Sequence, residues 1–259
     1  EPTNPLSEVT DLRLGGTKLR WTITNDKRTC ESFSEIVITN NQPPSVYAGL
    51  DQRDLCSATA KLTAEDVDGG TGRWSLAENS SGKFDENTSA ITTITGLQKG
   101  ENHLVWTVEV QGCPNSDTVV VINNLPSEPN PGPVQSDCSD EFIMAANEPV
   151  IGRGFWTKYS ATGTFENDTS PTTQITGVGL GENIFTWNTQ NEHCKLSENV
   201  SITNNNPSDA EAGTNQIRCN TLASLQANEP VIGSGFWQIS SGGGSILDID
   251  SSSTQIIEL

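Results

Sequence analysis

Six cysteines, two histidines and several paired carboxylates are the side chains in these 259 residues whose types and spacing could do chemistry. The cysteines fall into two series. Cys56, Cys138 and Cys219 are 82 and 81 residues apart, and Cys30, Cys113 and Cys194 are 83 and 81 apart. There is no C-x-x-C pair, and the clustered ligands of a structural zinc site are absent from the sequence. Widely spaced cysteines at fixed places read as disulfides formed in an oxidising, extracytoplasmic setting. A Ser-His-Asp triad needs a histidine held by a carboxylate. His103 aligns with Ile184 in the next copy of the pattern and His193 aligns with Gly112, so neither histidine is expected to be catalytic. No carboxylate pair is singled out for acid–base work, and the reading is that the chain is not an enzyme.

Calcium is the one cation the acidic residues suggest, because a hard ion takes several carboxylate and carbonyl oxygens. Glu65, Asp66 and Asp68 lie in EDVDGG, but the aligned residues in the next copy are Asn147-Glu148-Pro149. The second group stays acidic in every copy: Asp85 and Glu86, then Glu166 and Asp168, then Asp248 and Asp250. None fits an EF-hand loop, and a solvated acidic turn is the plain alternative. No other cofactor is expected.

These positions belong to a repeat that runs through the whole chain. ANEPVIGRGFW at 146–156 returns as ANEPVIGSGFW at 227–237. Trp74, Trp156 and Trp237 are spaced 82 and 81, and Trp21, Trp106 and Trp187 are spaced 85 and 81. A period near 81 exceeds the roughly 20–47 residues of helical or leucine-rich solenoids. It suits a small domain with its own core. The division expected is a late half-repeat at 1–43, full repeats at 44–126 and 127–207, and an early half-repeat at 208–259, cut from a longer array.

Alternation with period two dominates. Leu19, Trp21 and Ile23 share a face, as do Leu104, Trp106 and Val108, and Phe185, Trp187 and Thr189. Ala60, Leu62 and Ala64 alternate likewise, matched by Phe142, Met144 and Ala146 and by Ala223, Leu225 and Ala227. Ile94, Ile175 and Ile256 mark a middle strand. No stretch carries apolar residues at helical spacing over three turns. Seven short strands per 81 residues, with a buried tryptophan on the third, indicate an all-β, immunoglobulin-like sandwich. All six repeated tryptophans are expected in cores. In ANEPVIGxGFW the alanine closes the second strand, Asn-Glu-Pro turns the chain, and tryptophan anchors the third strand. The proline-rich joints at 125–134 and 205–213 read as stiff linkers.

Three disulfide schemes compete. Pairing within a repeat gives Cys56–Cys113 and Cys138–Cys194 and is preferred, because each repeat then carries its own staple. Pairing across each linker gives Cys30–Cys56, Cys113–Cys138 and Cys194–Cys219. In the third scheme Cys56 and Cys113 stand at opposite ends of their sandwich, and Cys56 pairs instead with Cys194.

The net charge of −19 and pI near 4.3 argue against nucleic acid and against anionic membrane surfaces, both of which need a basic footprint. No apolar run in these 259 residues approaches the 18 residues of a membrane span, and none has the pattern of a signal peptide, either of which a fragment could have lost.

AGLDQRDLC (48–56), AGTNQIRC (212–219), ITGLQKGENHLVWTV (94–108) and ITGVGLGENIFTWNT (175–189) carry a family likeness. With them the chain resembles the PKD-like or Ig-like tandem repeats of very large surface adhesins of gliding Bacteroidota, the SprB type among them. The resemblance covers the whole chain. It implies an elongated extracellular fibre at the cell surface, export by the type IX route, and contact with an extracellular surface or polysaccharide as well as with neighbouring repeats of the same chain. It brings no catalytic residues. Asp117-Thr118-Val119 is similar to the O-glycosylation signal of that group, which makes Thr118 a candidate attachment site. The function expected is therefore structural and adhesive. A calcium- or glycan-binding module, or the accessory region of a secreted hydrolase, are the alternatives.

Overall fold

Residues 4–258 are described by a computed structural model. The outermost residues of the two expected half-repeats, 1–3 and 259, lie outside that range. Every regular element among the described residues is a β-strand. The chain divides into two compact units, 1–124 and 125–259.

In the first unit a hairpin of β1 (Gly15–Thr24) and β2 (Glu31–Asn40) precedes a complete sandwich. The sandwich has seven strands: β3 (Gln52–Leu55), β4 (Thr59–Thr63), β5 (Thr71–Leu76), β6 (Lys83–Phe84), β7 (Ile91–Thr95), β8 (Gly100–Val110) and β9 (Cys113–Asn123). They form a four-stranded sheet, β3-β9-β8-β5, and a three-stranded sheet, β4-β7-β6. Third, sixth and seventh strands in one sheet facing second, fourth and fifth in the other is the immunoglobulin-like arrangement. The first strand joins the seventh in parallel.

The second unit repeats this plan with β10 (Gln135–Asp137), β11 (Phe142–Ile143), β12 (Arg153–Ser160), β13 (Thr164–Phe165), β14 (Gln174–Thr176), β15 (Gly181–Asn191) and β16 (Cys194–Asn204). Its sheets are β10-β16-β15-β12 and β11-β14-β13. A last sheet, β17-β19-β18, is made of β17 (Leu222–Gln226), β18 (Ser245–Ile246) and β19 (Ser253–Ile257). It has the order of β4-β7-β6.

The cores follow from the alternation. Leu104, Trp106 and Val108 on β8 face Val119 and Val121 on β9, and all are buried with Ala60, Leu62, Trp74 and Ile94. In the second unit Phe142, Met144, Trp156, Ile175, Phe185, Trp187 and Ile202 fill the same places. At the centre two tryptophans on neighbouring strands lie tilted against each other. Trp74 and Trp106 are 5.2 Å apart between ring centroids, and Trp156 and Trp187 are 5.0 Å apart. A glycine two residues before the first tryptophan admits the second. A Cβ built on Gly72 or Gly154 would stand 2.1 Å from the Trp106 or Trp187 ring.

Two of the six tryptophans depart from the expected cores. Trp21 is 42% exposed on the hairpin, and Trp237 is half-buried in a segment that forms no strand. Burial of this tryptophan pair needs both sheets of one sandwich, and Trp74 with Trp106 and Trp156 with Trp187 lie between two such sheets.

Candidate interaction surfaces

Strand direction settles the within-repeat disulfides. Leu55, just before Cys56, pairs with Asn123 at the end of β9, while Cys113 opens that strand. Ten steps along a strand span about 34 Å, whereas a disulfide holds its Cα atoms about 4.4–6.8 Å apart. Cys138 and Cys194 are separated in the same way: Asp137 pairs with Asn204 at the end of β16, and Cys194 begins it. The preferred pairs Cys56–Cys113 and Cys138–Cys194 are therefore not formed. Cys30, Cys113, Cys138 and Cys219 are free thiols, and Cys56 and Cys194 are disulfide-bonded. These states are also incompatible with the linker scheme, which would bond all six. Alkylation without reduction is expected to label Cys30, Cys138 and Cys219 quickly and the half-buried Cys113 more slowly. Cys56 and Cys194 should label only after reduction. A cross-linked Cys56–Cys113 or Cys138–Cys194 peptide would contradict this.

The acidic group conserved through the repeat is a turn that grips the third strand. In the first unit Glu86 N–H donates to Thr92 Oγ1 (3.1 Å), and Glu86 Oε1 accepts from Thr88 N–H (3.2 Å) and Thr88 Oγ1–H (2.6 Å). The turn so held presents the Asn87 carbonyl to Trp74 N–H (2.7 Å) and the Ser89 carbonyl to the Trp74 indole (3.1 Å). The second unit does the same with Asn167 in place of Glu86. Thr169 N–H and Oγ1–H donate to Asn167 Oδ1, while Trp156 N–H reaches the Asp168 carbonyl and its indole the Ser170 carbonyl. In the last sheet Asp248 Oδ1 takes the Asp250 N–H, and Trp237 bonds Ile249 and Ser251 in the same way. A neutral asparagine makes the same two bonds as a carboxylate, so a side-chain oxygen builds the turn, and in the first repeat that oxygen also carries a charge. Asp85 and Glu166 hold the neighbouring ladder through their backbone N–H groups.

Bonds from the Thr88 hydroxyl and then its N–H hold the Glu86 carboxyl below the usual glutamate range. A carboxyl whose folded pKa lies below its unfolded value stabilises the fold above the unfolded pKa, and that contribution is lost as pH falls through the folded pKa. Acid unfolding of the first unit is expected to be displaced in Glu86→Gln, with the two proteins diverging near neutral pH and converging in acid. Coincident acid limbs and equal stability at neutral pH would count against the turn's contribution.

ANEPVIGxGFW has a second task that its sequence did not reveal. Asn147 Nδ2 donates to the Glu128 carbonyl (3.0 Å), and its Oδ1 accepts from Asn130 N–H (2.8 Å). Ser127 Oγ accepts from the N–H groups of Val150 (2.9 Å) and Ile151 (2.8 Å). The second copy repeats the clasp with Asn228 on Asp209 and Glu211, and Ser208 on Val231 N–H. The motif thus fastens the residues leading into its own repeat onto that repeat. Within 125–134, expected as a stiff linker, residues 127–130 are fastened to the repeat that follows, and Pro126, Pro129 and Pro131 are buried. The first repeat has Glu65 for the asparagine and Pro44 for the serine, and keeps only the backbone bond from Glu65 N–H to the Tyr47 carbonyl (2.9 Å). The serine–asparagine pairing at fixed offset was the available signal. Ser127→Ala leaves two donors without their acceptor and is expected to cost about 1–2 kcal/mol, read as a lowered urea midpoint. No change in midpoint would mean water replaces the hydroxyl.

Thr118 is exposed on β9, open to modification, while Asp117 beside it accepts a hydrogen bond from Ala48 N–H (2.9 Å). His103 lies near the surface, 3.5 Å from Glu101, and His193 Nε2 is 3.9 Å from Cys194 Sγ. Neither histidine is set between a hydroxyl and a buried carboxylate.

Two apolar surfaces remain uncovered. On the hairpin, Leu19, Trp21, Ile23, Ile36 and Ile38 share one face, in the register that Leu104, Trp106, Val108, Val119 and Val121 have on β8–β9. The opposite face is internally satisfied, with Glu35 bonded to Lys18 (2.5 Å) and Arg20 (2.7 Å) and the Arg20 guanidinium 4.0 Å from the Phe33 ring centroid. At the other end a cleft of about 830 Å³ is lined by Ala227, Asn228, Ile232, Gly235 and Trp237. A smaller depression between Leu225, Ile246 and Ile256 adjoins it across Trp237.

No protein-family profile and no curated protein matches this sequence. Solved structures do resemble it. A three-immunoglobulin-domain fragment of titin aligns over 84% of this chain and 89% of its own, with 11% identity and a TM-score of 0.38. The complex of Dpr2 Ig1–Ig2 with DIP-Theta Ig1–Ig3 aligns over 84% and 90%, with 10% identity and a TM-score of 0.40. An endo-fucoidan hydrolase of glycoside hydrolase family 107 aligns over 74% of this chain and 34% of its own, with 12% identity and a TM-score of 0.26. The chain is a tandem of immunoglobulin-like sandwiches, an assignment that rests on its strand order. No helix among the described residues is long and apolar enough to cross a membrane.

Proposed function

We infer that the chain is a structural and adhesive repeat region of a large secreted fibre at the cell surface, of the kind its sequence resembles in gliding Bacteroidota. The observation that supports this is the use made of its most repeated residues. ANEPVIGxGFW ties a repeat to its own leading segment and seats a core tryptophan, so what is copied from unit to unit is a folding device. Copying such a device extends reach while each added unit stays folded. The disulfide-bonded Cys56 and Cys194 and the net charge of −19 fit an extracellular setting, which in this reading is reached by the type IX route. Neighbouring repeats of the same chain are one set of partners. An extracellular surface or polysaccharide is the other.

Beads coated with the 259-residue chain are expected to stay on polysaccharide-coated glass under shear that removes beads coated with an unrelated acidic protein. Equal detachment would sink the adhesive half of the reading. The structural half is tested by pulling single molecules after reduction. Each sandwich should unfold as one event, releasing a length set by about 81 residues at roughly 3.6 Å each. Featureless extension would sink it.

A further inference from the structure

Ile232 is the residue of the second motif copy whose side chain neither the clasp nor the core employs. Asn228 holds the leading segment, Trp237 is bonded to its turn, and Val231 offers its N–H while its side chain is exposed. Ile232 is half-buried and reaches out of its own repeat. Gly181, which opens β15 of the second sandwich, has φ +82°, and a Cβ built on it would stand 3.3 Å from Ile232 Cδ1. We propose that this contact is the joint between successive repeats. Ile232 seats on the Gly-Glu-Asn turn of the repeat before it and holds the second sandwich and the sheet β17-β19-β18 in one orientation. The proposal rests on the reading of neighbouring repeats as partners and names the surface by which they meet. Both members belong to stretches that the chain writes twice, ANEPVIGxGFW and Gly-Glu-Asn.

The chain that connects the two parts leaves no hinge. Asn204 closes β16 opposite Gly181, and its amide donates to the Val178 carbonyl (2.7 Å). Asn205 N–H donates to the Asp137 carbonyl (2.8 Å), and Asn205 Nδ2 donates to Ser136 Oγ (2.7 Å). Asn206 N–H donates to Asn204 Oδ1 (2.9 Å). All of these bonds belong to the second sandwich. The next two residues belong to the following repeat. Pro207 Cβ lies 3.8 Å from the Cβ position of Gly233, Ser208 Oγ accepts from Val231 N–H (2.9 Å), and Ser208 N–H reaches the Ile232 carbonyl (3.4 Å).

One set of bonds therefore hands over to the other between Asn206 and Pro207, with no residue in between. A hinge needs residues free to change φ and ψ. Proline fixes its own φ and confines the residue before it to extended backbone. What rotation remains at Asn206 would swing Ile232 off Gly181. The glycine has two uses here, since its φ is positive and any side chain on it would meet the isoleucine.

Distances between spin labels on Cys138 and Cys219 test this in the 259-residue chain. Cys30→Ser and Cys113→Ser leave those two exposed thiols as the labelled pair, one on the second sandwich and one on the segment leading to β17. The parent chain is expected to give a single narrow distance distribution. Ile232→Ser removes the seated side chain. Gly181→Asn keeps a residue that tolerates positive φ but sets a side chain against the isoleucine. Each should at least double the width of the distribution, while Val231→Ser, at the exposed neighbour, should leave it as in the parent. A broad distribution in the parent chain overturns the proposal, as does an unchanged width in both Ile232→Ser and Gly181→Asn. A broad distribution in a chain whose sandwiches still unfold as single events sinks the joint alone. Featureless extension with a narrow distribution sinks the structural reading and leaves the contact standing.

Discussion

Trp156→Ala is expected to lower the stability of the second unit by about 3–5 kcal/mol, the range for emptying a core site of a large aromatic. Trp156 is buried on β12, lies 5.0 Å from Trp187 and 6.1 Å from Phe165 between ring centroids, and gives both its backbone N–H and its indole to the turn at 168–170. Alanine keeps the backbone bond, loses the indole bond and leaves two aromatic rings facing a void. Small domains hold only about 5–15 kcal/mol, so the loss takes a large part of the total. Hydrogen exchange on peptides from β12, β15 and β16 measures it locally, while peptides from β5, β8 and β9 serve as the internal reference. Trp21→Ala on the open hairpin should cost less than about 1 kcal/mol, since surface changes do little to a fold. A small effect at Trp156 would mean that the pair of indoles is not what holds the two sheets together.

Gly154→Ala gives the second large effect, from the opposite cause. The added methyl would lie 2.1 Å from Trp187 Cζ2. The ring is held between Trp156 and its own strand neighbours, so it has no room to withdraw. Overpacking of this kind costs about 1–3 kcal/mol and more when the neighbour is rigid. Gly235→Ala changes the same residue of the same eleven-residue motif and should lie within about 0.5 kcal/mol of wild type, because its Cβ enters open space. Thermal unfolding of the two variants side by side reads the difference. Equal effects would show that the glycine is kept for backbone conformation and not for the approach of the indole.

Much of this was legible in the residues taken in order. The alternation of Leu104, Trp106 and Val108 named the buried face of β8 because successive side chains of a strand leave on opposite sides. The spacing of Trp74, Trp156 and Trp237 fixed the unit length, and the turns between short apolar runs gave an all-β sandwich with tryptophan on its third strand. These are local properties, and a strand's face is decided by its own sequence.

Other properties needed the chain folded back on itself. Cys56 and Cys113 were expected to bond. They stand at opposite ends of β9, because β3 runs parallel to it and delivers Cys56 beside Asn123. Direction within a sheet is set by crossovers between sheets, which spacing along the chain does not record. The clasp of Asn147 and Ser127 was hidden for the same reason, its two halves lying about twenty residues apart on different elements. At Asp85–Glu86 the charge was legible in the sequence, while the part Glu86 plays as a hydrogen-bond acceptor, taken by Asn167 in the second repeat, is seen only in the fold. Trp21 and Trp237 carry the pattern of core residues, and sequence by itself determined that pattern. Whether such a residue is buried depends on what packs over it, and only the tertiary structure shows Trp74, Trp106, Trp156 and Trp187 enclosed between two sheets.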